Sequence, residues 1–306
     1  MARSFTKGKM NLTADIAERN VAVFKNGRFD SPLDSTREFG LRDIIKWMLT
    51  PKPKRGSSKC VKCSEDFGLN GVCWFGHATF YIRVNGFHLM CDPVFFDIPF
   101  HKRSVRCDLL DRIERVDAVL ISHSHYDHLD LKSLKELISR FDPLFIVPKK
   151  TSLPAKAKVV EMEWFEFIDF GALRVIFFPA KHWSSRSWLD KNRSLWGSFM
   201  IEGEKSIFFA GDSAYAHHFS DISRLCETDI AILPIGAYSP EYLMSHSHMN
   251  PYEALKAFYD LGADVLIPMH YGVFDLSLEP LCEPYEVMKT VFSKAEFLNI
   301  GECYTW

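Results

Sequence analysis

The densest chemistry in the chain is the run His-Ser-His-Tyr-Asp-His at residues 123–128, which gathers His123, His125, Asp127 and His128 into one short segment. Neutral imidazole and carboxylate are the ligand types that cations such as Zn²⁺ accept. Spacing sorts them: His123 and His125 lie two apart, so in extended backbone they project the same way, while Asp127 and His128 can turn toward a second position. The run follows an apolar stretch at 118–122 and precedes Asp130, a helix-capping residue type. It therefore sits at a strand's carboxyl end, where open α/β sheets usually bind ligands. Four ligands cannot close two coordination spheres, but three other apolar stretches also end in His or Asp. His182 follows 173–178, Asp212 follows 206–210 and His270 follows 265–269. A single His after a strand is more often a cap or a core residue. Three such ends beside 123–128 point to a metal centre.

The elements that must position these residues are legible as short apolar runs between turn residues. Strands are predicted at 72–75, 80–84, 87–91, 118–122, 144–147, 173–178, 198–202, 206–210, 230–234 and 265–269, with Asn85-Gly86 as a two-residue hairpin turn. Most are apolar on both faces, as strands between two other layers are. Asp130 caps a helix with Leu131, Leu134, Leu137 and Ile138 on one face. Asn250, Pro251 and Glu253 open a second helix, which Gly262 ends. The pattern is that of an α/β chain with two sheets faced by helices. Residues 1–70 read differently: Ser35 and Glu38 form a capping box for a helix presenting Leu41, Ile44, Ile45 and Met48, with Trp47 beside them and Lys52, Lys54 and Arg55 following. The expected organisation is an extension at 1–70, with an amphipathic helix and a basic linker, and a catalytic domain at 71–306.

Composition bounds the rest. The 306 residues carry 37 Lys plus Arg against 39 Asp plus Glu, a net charge of −2, which leaves no basic excess for nucleic acid. No apolar run is long enough to span a bilayer and the first twenty residues hold no signal-peptide core, so a cytoplasmic protein is expected. Eight Cys are too sparse for a disulfide scaffold at this length and are expected to be reduced thiols. The Cys60-x-x-Cys63 pair lacks a second pair that would complete a zinc site. The 26 Phe raise the expectation of an apolar groove for a greasy substrate.

The order H-x-H-x-D-H, then His, then Gly-Asp, then a late His resembles the metallo-β-lactamase superfamily. Within it, WFGHAT (74–79), CDPVF (91–95), DAVLISHSHYDHLD (117–130), LWGS (195–198), FFAGDSAY (208–215), PIGAYSP (234–240) and HMNPYEA (248–254) are similar to the N-acylphosphatidylethanolamine-hydrolysing phospholipase D family. The resemblance implies an αβ/βα four-layer sandwich. It further implies two Zn²⁺ ions, one held by His123, His125 and His182 and one by Asp127, His128 and His270, bridged by Asp212. The absence of Cys from this set leaves Fe or Mn open. It also implies catalytic roles for Asp127 and for His248, which matches a His beside the family's metal pocket, whereas His77 and Asp92 are expected to support the ligands. The implied reaction is hydrolysis of an N-acylated phospholipid to an N-acylethanolamine and a phosphatidic acid; the apolar stripe and basic flank of the amphipathic helix suit either peripheral membrane contact or docking on the core with a solvated basic tail. A lactonase, a soluble-phosphoester hydrolase or a mononuclear iron oxygenase on the same scaffold is the alternative, and the oligomeric state is left open.

Overall fold

Ten predicted strands form within a residue or two of their expected bounds, because each is a short run of apolar side chains stopped by turn residues. The computed structural model describes residues 4–33, 45–47, 49–51, 60–65, 70–187 and 189–306. In chain order the strands are β1 (Thr6–Lys9), β2 (Val23–Lys25), β3 (Arg28–Asp30), β4 (Gly71–Trp74), β5 (Phe80–Val84), β6 (Phe87–Cys91), β7 (Ala118–Leu120), β8 (Leu144–Pro148), β9 (Lys158–Met162) and β10 (Glu166–Asp169). They continue as β11 (Arg174–Phe178), β12 (Ser198–Glu202), β13 (Ser206–Phe209), β14 (Ile230–Pro234), β15 (Val265–Met269) and β16 (Cys303–Tyr304). The helices are α1 (Ala14–Asn20), α2 (Leu131–Phe141), α3 (His218–Ser223), α4 (Glu241–Met244), α5 (Pro251–Leu261) and α6 (Glu283–Val291).

Two seven-stranded sheets carry the fold, in the orders β16-β4-β5-β6-β7-β8-β9 and β1-β10-β11-β12-β13-β14-β15. Each begins as an antiparallel meander and turns parallel, at β6–β7 in one sheet and at β13–β14 in the other. The parallel strands need crossovers, and helices carry those from β7 to β8, from β13 to β14 and from β14 to β15. Asp130 caps α2 by accepting from the Lys132 and Ser133 amides, worth about 1 kcal/mol for such a cap. Asn250 and Glu253 close a reciprocal capping box on α5, and Gly262 ends that helix in the left-handed region. At the predicted hairpin Asn85 and Gly86 both have positive φ, as the twist of the paired strands requires.

The Phe residues are mostly core. Phe80, Phe145, Phe177, Phe178, Phe199, Phe208, Phe209 and Phe219 are fully buried, so the expected apolar groove is not where the phenylalanines went. The two sheets consume them.

One expectation is corrected. The cysteines are not all free thiols: Cys60–Cys282, Cys63–Cys107 and Cys73–Cys303 are disulfides, leaving Cys91 and Cys226 as buried thiols. Partners lie 222, 44 and 230 residues apart, so chain topology, not local spacing, brings them together. Cys60 and Cys63 therefore pair outward, to two different loops. Within the 1–70 extension, β1 pairs with β10 in the second sheet. Helix α1 docks on α3, where the buried carboxylate of Asp221 accepts from Arg19 at 2.6 Å and Asn20 at 2.8 Å. Of the expected amphipathic helix, residues 45–47 and 49 are helical; Ser35, Glu38, Leu41, Ile44, Met48, Lys52, Lys54 and Arg55 lie outside the described residues. No helix among the described residues is long and apolar enough to cross a membrane.

Candidate metal centre

Both sheets aim the ends of their parallel strands at one edge of the sandwich, and the singled-out residues meet there. His123 to His128 follow β7, Asp92 follows β6, His182 follows β11, Asp212 follows β13 and His270 follows β15. Gly211 makes one approach possible: at φ +58°, a Cβ there would lie 2.5 Å from the Cβ of Ser122, so only glycine lets the β13 end close on the β7 end.

The side chains form two groups around Asp212. In the first, His123 Nε2 and His125 Nδ1 are 2.8 Å apart and His182 Nε2 is 3.1 Å from that same Nδ1. His123 and His182 face Asp212 Oδ2 at 3.9 and 3.8 Å. In the second, His128 Nε2 and His270 Nε2 lie 3.5 and 3.4 Å from Asp127 Oδ2. Asp212 reaches this group too, with Oδ2 3.1 Å from His128 and Oδ1 3.2 Å from His270. All of these residues except Asp127 and His125 are almost wholly buried, and those two are half-buried.

Neighbours fix each ring. His123 Nδ1 meets Ser122 Oγ at 2.9 Å, and His182 Nδ1 donates to the Ser247 carbonyl at 2.8 Å. His128 Nδ1 lies 2.7 Å from Asp92 Oδ2, while Ser122 donates to Asp92 through its amide at 2.7 Å and its hydroxyl at 2.5 Å. His125 rests edge-on against Trp183, with centroids 4.3 Å apart. The ring-orienting partner leaves the other nitrogen free to face inward. Accordingly, the Nε2 atoms of His128 and His270 and Asp212 Oδ1 are buried and, beyond facing one another and Asp127 within this group, make no hydrogen bond to the rest of the protein. Buried polar atoms rarely go unpaired, and several that converge on one spot are suited to a cation. Four cation-sized groups of His and Asp overlap here.

The protonation states differ across the pocket. Burial holds His123 and His182 well below the ordinary imidazole range and His125 at about 4, so these rings are neutral and able to ligate. Burial also opposes charge on His128 and His270, but Asp212 and Asp127 outweigh it, lifting His128 well above its usual value and His270 to about 9. Burial would raise Asp127 and Asp212, yet the surrounding imidazoles, His128 foremost, hold both carboxyls well below the usual range.

His248, a sequence-predicted catalytic residue, stands at the rim with Nδ1 3.9 Å from Asp212 Oδ2 and its side chain 12% exposed. Burial lowers it to about 4, so it is neutral at pH 7. Residues that the sequence did not single out include Trp183, Ser122 and Ser247; Trp183 could have been noticed beside His182. Asp92 and His77 prove to be in contact with His128 and Asp127, respectively, at 2.7 and 2.9 Å.

Comparison with known proteins agrees with this arrangement. Residues 88–271 match the family described as Beta-lactamase superfamily domain. The chain is 34% identical over 252 residues to the mitochondrial N-acyl-phosphatidylethanolamine-hydrolyzing phospholipase D of Saccharomyces cerevisiae, covering 76% of this chain and 53% of that protein. It is 31% identical over 252 residues to N-acyl-phosphatidylethanolamine-hydrolyzing phospholipase D 1 of Caenorhabditis elegans, covering 74% and 70%. The fold is shared with Igni18, a metallo hydrolase from Ignicoccus hospitalis, at a TM-score of 0.56 and 21% identity, over 76% of this chain and 95% of that one. The chain spans about half the length of the yeast relative. With its two sheets, its strand-end histidines and these relatives, the chain belongs to the metallo-β-lactamase superfamily and is related within it to the N-acylphosphatidylethanolamine-hydrolysing phospholipases D.

Proposed function

We propose that this chain is a zinc phosphodiesterase with two metals that cleaves N-acylphosphatidylethanolamine to N-acylethanolamine and phosphatidic acid. The observation that carries the reading is Asp212, a buried carboxylate with imidazole nitrogens facing it from both sides, in a chain about a third identical to two proteins named for that hydrolysis. In this reading His123, His125 and His182 hold one cation, Asp127, His128 and His270 hold the other, and Asp212 serves both. When bound, such a pair supplies positive charge against the phosphoryl oxygens and brings the pKa of a water toward neutrality. With such a pair bound, the ionised carboxylate of Asp127 would take up the proton of the attacking water and pass it to the departing N-acylethanolamine oxygen. Neutral His248, whose Nδ1 has no protein partner, donates a hydrogen bond to a phosphodiester oxygen as negative charge grows on it.

A phospholipid substrate calls for contact with a bilayer, and exposed apolar side chains support that. Leu189, on the loop that follows His182, and Leu49 are each 77% exposed. Trp183 is partly exposed beside His125, and Lys46 lies over the Tyr242 ring 4.3 Å from its centroid. Apolar tips among basic residues suit a peripheral position on an anionic surface.

The test is elemental analysis for metal beside a substrate panel: N-acylphosphatidylethanolamine vesicles, a soluble bis-aryl phosphodiester, a lactone and a β-lactam. Release of phosphatidic acid with about two zinc per chain is expected, and His248→Ala should slow it about 10²-fold with metal content unchanged. Faster turnover of the lactone than of either phosphodiester would replace the reading with a lactonase. A single iron with oxygen consumption would replace it with an oxygenase.

A further inference from the structure

We infer that His77 is a positioning residue for the second metal: its side chain fixes Asp127 while its backbone fixes His270. The inference rests on the two-metal reading above. His77 lies in the turn between β4 and β5 and is 1% exposed. Its Nε2 is 2.9 Å from Asp127 Oδ2. A carboxylate facing an imidazole at that distance accepts, so Nε2 carries the hydrogen and donates it. The His77 carbonyl accepts from the His270 amide at 3.1 Å and from Trp74 Nε1 at 2.9 Å. The two rings, His77 and His270, lie 4.1 Å apart. Asp127 belongs to the sheet of β7 and His270 to the sheet of β15, so this one residue ties the second group together across the two sheets.

Two costs at this position argue that packing is not its purpose. The backbone sits at φ +57°, in the left-handed region that non-glycine residues seldom occupy. The other ring nitrogen, Nδ1, is buried with no hydrogen-bond partner, and an unpaired buried polar atom destabilises a core that an apolar side chain would fill without penalty. Phe274 already meets the ring edge-on at 5.1 Å, so the surroundings would accept a hydrocarbon. What a hydrocarbon lacks is the N–H to Asp127. That N–H leaves the carboxylate one orientation toward His128 and His270, and partners of this kind are typically worth about 10–100-fold in metal affinity.

Three chains separate the roles: wild type, His77→Phe, which keeps volume without a donor, and His77→Gln, whose amide can donate from nearly the same place. Both variants bear the same backbone cost, so it cancels between them. Stepwise zinc affinities come from competition with a chromophoric chelator, beside metal per chain and melting temperature. The expected result is a wild type with about two sites, a His77→Phe chain whose weaker site loses about 10–100-fold while the tighter one is unchanged, and a His77→Gln chain that recovers most of the loss. His77→Phe with both affinities at wild-type values would overturn the role, as would equal weakening of both sites in Phe and Gln chains. Fewer than two sites in the wild type would overturn the two-metal reading itself, and this inference with it, before any variant is compared.

Discussion

The two sides of Asp212 are built from similar ligands and stored in opposite ways. His123, His125 and His182 lean on neutral groups, a serine hydroxyl, a tryptophan edge and a backbone carbonyl. His128 and His270 lie among Asp92, Asp127 and Asp212. The first group is kept neutral by burial, and the second is kept as an ion-paired network. A cation entering the first side displaces nothing, whereas on the second it must displace protons. The lesson is that similar ligand sets can differ in readiness because their supporting groups differ.

The largest expected effect removes the contrast altogether. Asp212→Ala takes away the carboxylate that both sides face, so metal per chain should fall for both and hydrolysis should drop by about three orders of magnitude or more. Elemental analysis that finds normal occupancy would mean the sides do not share it. Next, Asp92→Asn weakens the support of His128 directly and that of His123 only at one remove, through Ser122. Metal affinity should fall about 10–100-fold on the second side and by less on the first, a difference that stepwise zinc titration resolves.

Proton release offers a gentler probe. In metal-free protein His270 has its pKa raised to about 9, so its contribution to stability is full below about 6.5, the unfolded value, and is lost as pH rises through about 9. His125 and His248 are lowered to about 4, so their contribution is present above about 6.5 and lost as pH falls through about 4. Melting temperature without metal should therefore peak near neutrality. Calorimetric zinc titration at pH 7 in buffers of different ionisation enthalpy should show proton release with the second metal and little with the first. Equal release with both would erase the asymmetry. The smallest effect is expected from Trp183→Ala, which removes an edge contact from His125 and should weaken the first side by only a few-fold, since aromatic contacts of this kind contribute about 0.5–1.5 kcal/mol.

Much of this was legible before folding. Strand ends and caps could be read because apolar runs and capping types are local signals, and the metal-ligand candidates all lay at such ends. What escaped was non-local. Cys60 and Cys282 gave no hint of pairing, because 222 residues separate them. Strands β9 and β10 were missed because the stretch Lys158–Met162 is mainly exposed and mixes Lys and Glu with its Val residues. The tie between His77 and His270 was invisible, since it runs through a backbone carbonyl that any residue possesses.

Strand β1 bears on how the protein behaves in concentrated solution. It is the outermost strand of its sheet among the described residues, mostly exposed, with the sequence Thr-Lys-Gly-Lys. Lysines on such an edge resist recruitment of a neighbouring molecule's strand, and Lys7 is also tied down through Glu166 at 2.7 Å. The Phe167 ring lies over Gly8, so close that a Cβ there would fall 2.4 Å from its tip. The glycine thus lets the strand settle under an aromatic cover that hides part of the ladder from other chains. Trimming residues 1–12 would bare β10 and leave the metal pocket intact, turning a guarded edge into a seed for sheet-to-sheet association. Light scattering at rising concentration should show it.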